Sequence, residues 1–81
     1  MKLDLMRLKA ERIANGLSQA DMAKKMGWKD RAVYAKRENG LVSIGVDEFV
    51  KMAEILGYDQ NELGIFFKQI VPEKERRKQE A

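Results

Sequence analysis

The chain contains no cysteine, no histidine and a single proline. Without cysteine there is no disulfide framework and no thiolate to hold a metal, and without histidine the commonest general base and the commonest metal ligand are both missing. Neither a cofactor nor a metal site is therefore expected. No apolar run approaches the roughly 18 to 20 residues that span a bilayer. Met1-Lys2-Leu3-Asp4 leads into a charged amphipathic pattern instead of a signal-peptide core, so the chain reads as soluble and cytoplasmic, without membrane contact. A glycine-rich phosphate loop is also absent, and the carboxylates are scattered over capping positions and solvent faces. That leaves no constellation for an enzyme.

What is present fits one small domain. Eighty-one residues, 44% of them hydrophobic, support a modest core and no second domain. The net charge of +3 conceals a strong segregation. Met1 to Arg37 carries ten Lys or Arg against four Asp or Glu, whereas Glu38 to Ile65 carries one against six. The first half suits a polyphosphate and the second would be repelled by one. Ordinary solvated helix faces would give the same count, and charge alone does not separate the two readings.

The apolar period is helical almost throughout, so the fold class reads as all-α. Met6, Ala10, Ile13 and Ala14, with Leu3 a turn earlier, predict a first helix over Lys2 to Ala14. Asn15-Gly16 ends it, and Leu17 is expected to tuck back against it. Ser18 is a good N-cap for a second helix, Gln19 to Met26, with Asp21 at its third position and Met22, Ala23 and Met26 on its buried face. Gly27 makes a turn beneath which Trp28 should pack; a base-stacking platform is the less favoured role for that ring. A third helix follows from about Asp30 to Arg37. Two short helices across a tight turn are the arrangement in which the second can enter a DNA major groove while the first bridges the backbone. A fourth helix is expected after Gly45, with Val46, Phe49, Val50, Ala53 and Leu56 as its stripe and Gly57 closing it. Asp59-Gln60-Asn61-Glu62 starts a fifth, containing Leu63, Phe66 and Phe67. Pro72 marks a boundary between a domain over 1–71 and a charged tail over 72–81.

Gly16-Leu17-Ser18-Gln19, Met22-Ala23, Met26-Gly27, Glu38-Asn39-Gly40, Lys51-Met52-Ala53 and Leu56-Gly57, in this order and at this spacing, resemble the Cro and phage-repressor (XRE-like) helix-turn-helix family over residues 5 to 67 or so. The resemblance implies a compact five-helix bundle with a central helix-turn-helix, the lambda-repressor-like DNA-binding domain, that binds double-stranded operator DNA as a symmetric homodimer. It places Gln19 where the family reaches a phosphate and buttresses the recognition helix, with Ser18 capping the second helix beside it and adding a phosphate contact. Lys29, Asp30, Arg31 and Tyr34 fall on the base-reading positions. Arg31 is the sharpest of these, since arginine can bond guanine O6 and N7 together. Asp30 is placed either to accept from cytosine N4 or to orient Arg31 and cap the helix. The second is preferred, because a carboxylate among phosphates is costly. Tyr34 is equally suited to touch a thymine methyl or to cover the core edge. Lys24, Lys29, Lys36 and Arg37 read as phosphate ligands, which fix register without carrying sequence information. Asn39 and Gly40 stand where the family presents an Asn side chain and backbone amides to a phosphate, and they also suit a helix C-cap.

By the same resemblance Arg12 and Glu38 form an ion pair tying the first helix to the third. The pattern departs from the family near the end of the third helix. Tyr34 and Arg37 stand where aliphatic residues are usual, and counting from Gln19 puts Val33 in the apolar position and Glu38 one residue late. The two registers differ in whether Tyr34 or Ala35 faces the groove and in whether Lys36 or Arg37 packs by its stem. Leu41-Val42-Ser43-Ile44 is an unusually apolar loop, equally suited to pack on the core or, since the family places this region near the dyad, to bring Leu41 and Ile44 into a dimer interface. Of the adjacent Phe66 and Phe67 one should enter the core while the other, with Ile70, meets a second subunit. The leading reading is a transcriptional repressor acting by occupancy. A protein-interaction module of the same fold, antitoxin-like or answering to a regulatory protein partner, is the second.

Overall fold

Four helices carry the scaffold of the computed structural model, which describes residues 2–68: α1 (Leu5–Ala14), α2 (Gln19–Lys25), α3 (Arg31–Glu38) and α4 (Val46–Ile55). A 3-10 helix, Gln60–Phe66, is the fifth. Two short strands, β1 (Lys2–Leu3) and β2 (Phe67–Lys68), pair antiparallel with Leu3 opposite Phe67, bringing the two ends of the described chain together. Pro72, Ile70 and the tail over 72–81 lie outside the described residues.

The first helix begins later than its periodicity suggests. Lys2 and Leu3 are strand, and Asp4 caps α1 by accepting the Arg7 backbone N–H at 3.1 Å. Its buried face is also a different one. Met6 is 71% and Ile13 57% exposed, whereas Leu8 and Arg12 are buried. Hydropathy assigned the wrong stripe because one interior position of α1 is an arginine. Ser18 and Asp21 then form a reciprocal capping box on α2, with Ser18 N–H donating to Asp21 Oδ2 at 2.8 Å and Asp21 N–H to Ser18 Oγ at 3.0 Å. Hydrogen bonding from Ser18, its backbone N–H first, holds the Asp21 carboxyl below its ordinary value.

The turn into α3 depends on Gly27. With φ of 83° it takes the left-handed conformation, and the N–H groups of Gly27 and Trp28 return to the carbonyls of Lys24 and Ala23 at 3.0 and 2.8 Å. A residue with a Cβ is strained at such a φ. Met22, Ala23 and Met26 are buried as their spacing predicts, and Trp28 is half-buried against the core. At the end of α3, Gly40 (φ 82°) closes the same kind of turn, and a Cβ there would meet Leu5 Cδ1 at 3.3 Å.

The rest of the core is aromatic. Phe66 is fully buried, with Phe49 and Tyr58 edge-on at 5.6 and 5.3 Å, and Phe67 stands edge-on to Phe49 at 5.3 Å. Phe66 is therefore a core residue and not part of a subunit interface. Phe67 leaves the helix for β2, which resolves the conflict between adjacent rings. On α4, Phe49, Met52, Ala53 and Leu56 are buried, while Val46 is 79% exposed, so the stripe begins one turn later than expected. The fifth helix winds as 3-10 instead of α, unbroken over the seven residues Gln60–Phe66.

Candidate nucleic-acid interface

The front of the domain is built around one buried ion pair. Arg12 Nε and Nη2 donate to the two oxygens of Glu38 at 2.8 and 3.1 Å, fork to fork, and Arg12 Nη1 donates to the Leu17 carbonyl at 2.7 Å. The expected tie between α1 and α3 is thus present. Its hydrogen bond to Glu38 raises the guanidinium above its ordinary value, against burial, which lowers it. For Glu38, burial pushes upward, but the hydrogen bonds, led by that of Arg12, leave the carboxyl below its ordinary value.

Glu38 also accepts from Gln19 Nε2 at 3.1 Å, and Gln19 Oε1 accepts from Arg31 Nη1 at 2.7 Å. Four side chains from three helices form one line, running from the interior to an exposed arginine at the first turn of α3. Asp30 occupies the N-cap position but makes no side-chain capping bond. Arg31 is held by Gln19, so the role preferred for Asp30, capping α3 and orienting Arg31, is not what the geometry gives. Its carboxylate is exposed beside Lys29.

Tyr34 is fully buried, which removes it from the groove face. Ala35 is buried too, and Val33 is half-buried, so neither alternative register places Tyr34 or Ala35 outward. The helix accommodates both counts because Glu38, its last residue, turns inward to Arg12. Burial, first, and the nearby Glu38 carboxylate raise the Tyr34 phenol well above its ordinary value, yet its hydroxyl meets no partner in hydrogen-bonding geometry.

Of Lys36 and Arg37, Arg37 is the one engaged by the fold, and it is engaged by its guanidinium and not by its stem alone. Its guanidinium lies 4.6 Å from the Trp28 ring centroid, its Nε donates to Glu48 Oε1 at 3.0 Å, and its Nη1 donates to the Val33 carbonyl. An arginine so engaged clamps the turn and is not a free phosphate ligand. Glu48, held by Arg37 and by the Gly45 N–H, sits below its ordinary value. Lys24, Lys29 and Lys36 are exposed, as are Ser18 and Asn39, and Gln19 is half-buried. Two exposed residues escaped the sequence reading: Lys25 at the end of α2, and Ala32, which shares a face of α3 with Lys36. Ala32 carries no hydropathic signal of its own and is distinguishable only by exposure beside Arg31.

Behind α3 the surface turns apolar. Leu41 is 77% exposed, and a groove of about 270 Å³ is lined by Leu3, Ile44, Val46, Phe49, Leu63 and Phe67 among others. Among the described residues no cluster of three or more His, Cys, Asp or Glu is placed to hold a metal ion, and no helix is long and apolar enough to cross a membrane.

Comparison with known proteins agrees with this geometry. The family described as Helix-turn-helix matches residues 8–63, from α1 into the 3-10 helix. No curated protein and no solved structure matches the chain. With more than half the chain covered, and with α2, the Gly27 turn and α3 in place, the protein belongs to the Cro/repressor (XRE-like) helix-turn-helix family of DNA-binding transcription regulators.

Proposed function

We propose that the protein is a repressor that binds a palindromic operator as a homodimer, in the cytoplasm, and shuts a promoter by occupying it. The observation that carries this reading is Arg31, exposed at the start of α3 and tethered to Gln19, on a helix-turn-helix that also exposes Lys24, Lys29 and Lys36. Arg31 reads a guanine through O6 and N7. Ala32 offers a methyl to a thymine in place of the buried Tyr34. Asp30, exposed at the leading edge, accepts from a cytosine amine. Lys24, Lys29 and Lys36, with Ser18 and Asn39, hold phosphates and set register.

The apolar loop and groove supply the dyad. Leu41, Val42 and Val46 are exposed, and Val46 lines the groove with Ile44 and Phe67. Exposed apolar patches on small soluble domains commonly mark interfaces. A second copy seated there sets two recognition helices about 34 Å apart, one turn of B-DNA.

Enrichment of bound duplexes from a random library tests the reading, followed by affinity against salt and by transcription in vitro from a promoter carrying the enriched site. A two-fold symmetric consensus, a steep salt slope and reduced transcription are expected. Transcription that rises instead makes the protein an activator. An asymmetric site bound by one copy removes the dimer. If no sequence is enriched, the reading as an interaction module for a regulatory protein takes its place.

A further inference from the structure

The line from Arg12 to Arg31 has a direction built into its chemistry. An ionised carboxylate only accepts hydrogen bonds, whereas a glutamine amide donates at one end and accepts at the other. Glu38, paired with Arg12 and held below its ordinary carboxyl value, is ionised at neutral pH. Gln19 lies between it and Arg31, so its NH2 end must face inward and its carbonyl outward. That outward carbonyl accepts one N–H of Arg31, and among the described residues no other side chain takes the remaining donors of the guanidinium. A guanidinium already tethered gives up less rotamer freedom on docking than a free one, and its fixed fork matches the two acceptors of a guanine edge.

We propose that Glu38, buried and out of reach of any DNA, is a specificity-determining positioning residue: it fixes the Gln19 amide in the one orientation that holds Arg31 for a guanine. The proposal rests on α3 being the groove helix. It separates Gln19 from the exposed lysines of the helix-turn-helix, Lys24, Lys29 and Lys36. They hold phosphate and act alike on every sequence, while Gln19 acts at one base pair in each half-site.

The test compares wild type, Arg31→Ala, Gln19→Leu and the double variant on the enriched duplex and on duplexes in which each half-site guanine is replaced in turn. Arg31→Ala should flatten the preference at one G·C pair by roughly tenfold. Gln19→Leu should flatten it at the same pair, and adding it to Arg31→Ala should change nothing more there. A uniform loss of affinity for Gln19→Leu, with the ratio at that pair intact, makes Gln19 a phosphate ligand and overturns the proposal. Glu38→Gln lets the Gln19 amide turn either way, so a folded Glu38→Gln protein should lose the same preference, and one that keeps it overturns the proposal. Should that variant not fold, the side-chain amide protons of Gln19 in free wild type decide by NMR. Protection from exchange that persists in Arg31→Ala supports the lock, and free exchange overturns it. A wild type that prefers no sequence, while its Gln19 amide is protected, overturns the groove reading of α3 and the specificity role with it. Preference accompanied by a freely exchanging amide overturns the lock alone.

Discussion

The domain is held on its two sides by different physics. Between α1, α2 and α3 the interior contains a charged pair and a line of hydrogen bonds with fixed donors and acceptors. Between α4, the 3-10 helix and the strands it contains interlocked aromatic rings. Apolar burial is non-directional and scales with area, so the aromatic side supplies stability without fixing any one group. A buried ion pair adds little net stability, because desolvation offsets attraction, but its geometry is exacting. The side that carries the proposed DNA face is therefore the side built for orientation, and the aromatic side carries the fold.

Truncating the aromatic side should do the most damage. Phe66 is fully buried and edge-on to two rings, and Phe66→Ala should cost about 3–5 kcal/mol. For a small domain that is a large share of total stability. Urea unfolding followed by circular dichroism should show the transition shifted most of the way to zero denaturant. A loss below about 1 kcal/mol would mean the ring is not a core residue in solution.

Breaking the polar side gives a comparable loss by a different mechanism, and that difference is testable. Glu38→Ala leaves Arg12 buried and unpaired and should cost about 3–5 kcal/mol, whereas removing both charges, as in Arg12→Met with Glu38→Leu, should recover most of it. No second substitution should rescue Phe66→Ala in this way. The pH dependence follows the same pair. The folded carboxyl of Glu38 titrates below its unfolded value, so its contribution is complete above the ordinary carboxyl range and is lost as pH falls through the folded value. Wild type should lose stability on acidification, and the double variant should lose less. Its residual acid slope belongs to Asp21 and Glu48, which are also lowered. Equal acid slopes in the two proteins would show that Glu38 is not ionised in the fold.

The same division explains what could be read from the sequence. Caps, glycine turns and the α2 stripe are local, and Ser18-Asp21, Gly27 and Met22-Ala23-Met26 came out as their spacing suggests. The Arg12–Glu38 pair was legible only through family resemblance. Taken by hydropathy, Arg12 pushed the assigned stripe of α1 onto Met6 and Ile13. Tyr34 was ambiguous because Val33, Tyr34 and Ala35 form an unbroken apolar run, which periodicity cannot phase. The strands were invisible, since two residues show no alternation and their pairing joins opposite ends of the chain. At the site, the exposed lysines came through as charge. The engagement of Arg37 by Trp28 and Glu48 did not, because it depends on the fold of the loop ahead of α4.

Arg37 sharpens the comparison at a smaller scale, where the two sides meet. Arg37→Met keeps an unbranched side chain and removes the guanidinium over Trp28, and should cost about 1 kcal/mol, from the part-buried pair and the ring contact together. Operator affinity should fall no further than that of a surface lysine variant such as Lys25→Met. A much larger and strongly salt-dependent loss would return Arg37 to the phosphate ligands.

The smallest effect is the most diagnostic of the polar side. Tyr34 fills the interior beside Glu38 with a hydroxyl that has no hydrogen-bond partner among the described residues. A buried polar group without a partner costs free energy, so Tyr34→Phe, which keeps the ring, should leave stability unchanged or raise it by up to about 1 kcal/mol. The alkaline limb gives the sign. Because the folded phenol ionises well above its ordinary 10.0, stability is complete below that value and declines as pH rises past it, when the unfolded chain ionises and the folded one does not. Tyr34→Phe should remove this decline, leaving the weaker share of Tyr58, whose phenol is raised by its hydrogen bond to Glu11. A loss of about 1 kcal/mol or more at neutral pH would instead mean that the hydroxyl donates to Glu38 in solution, making Tyr34 a fifth member of the line that ends at Arg31.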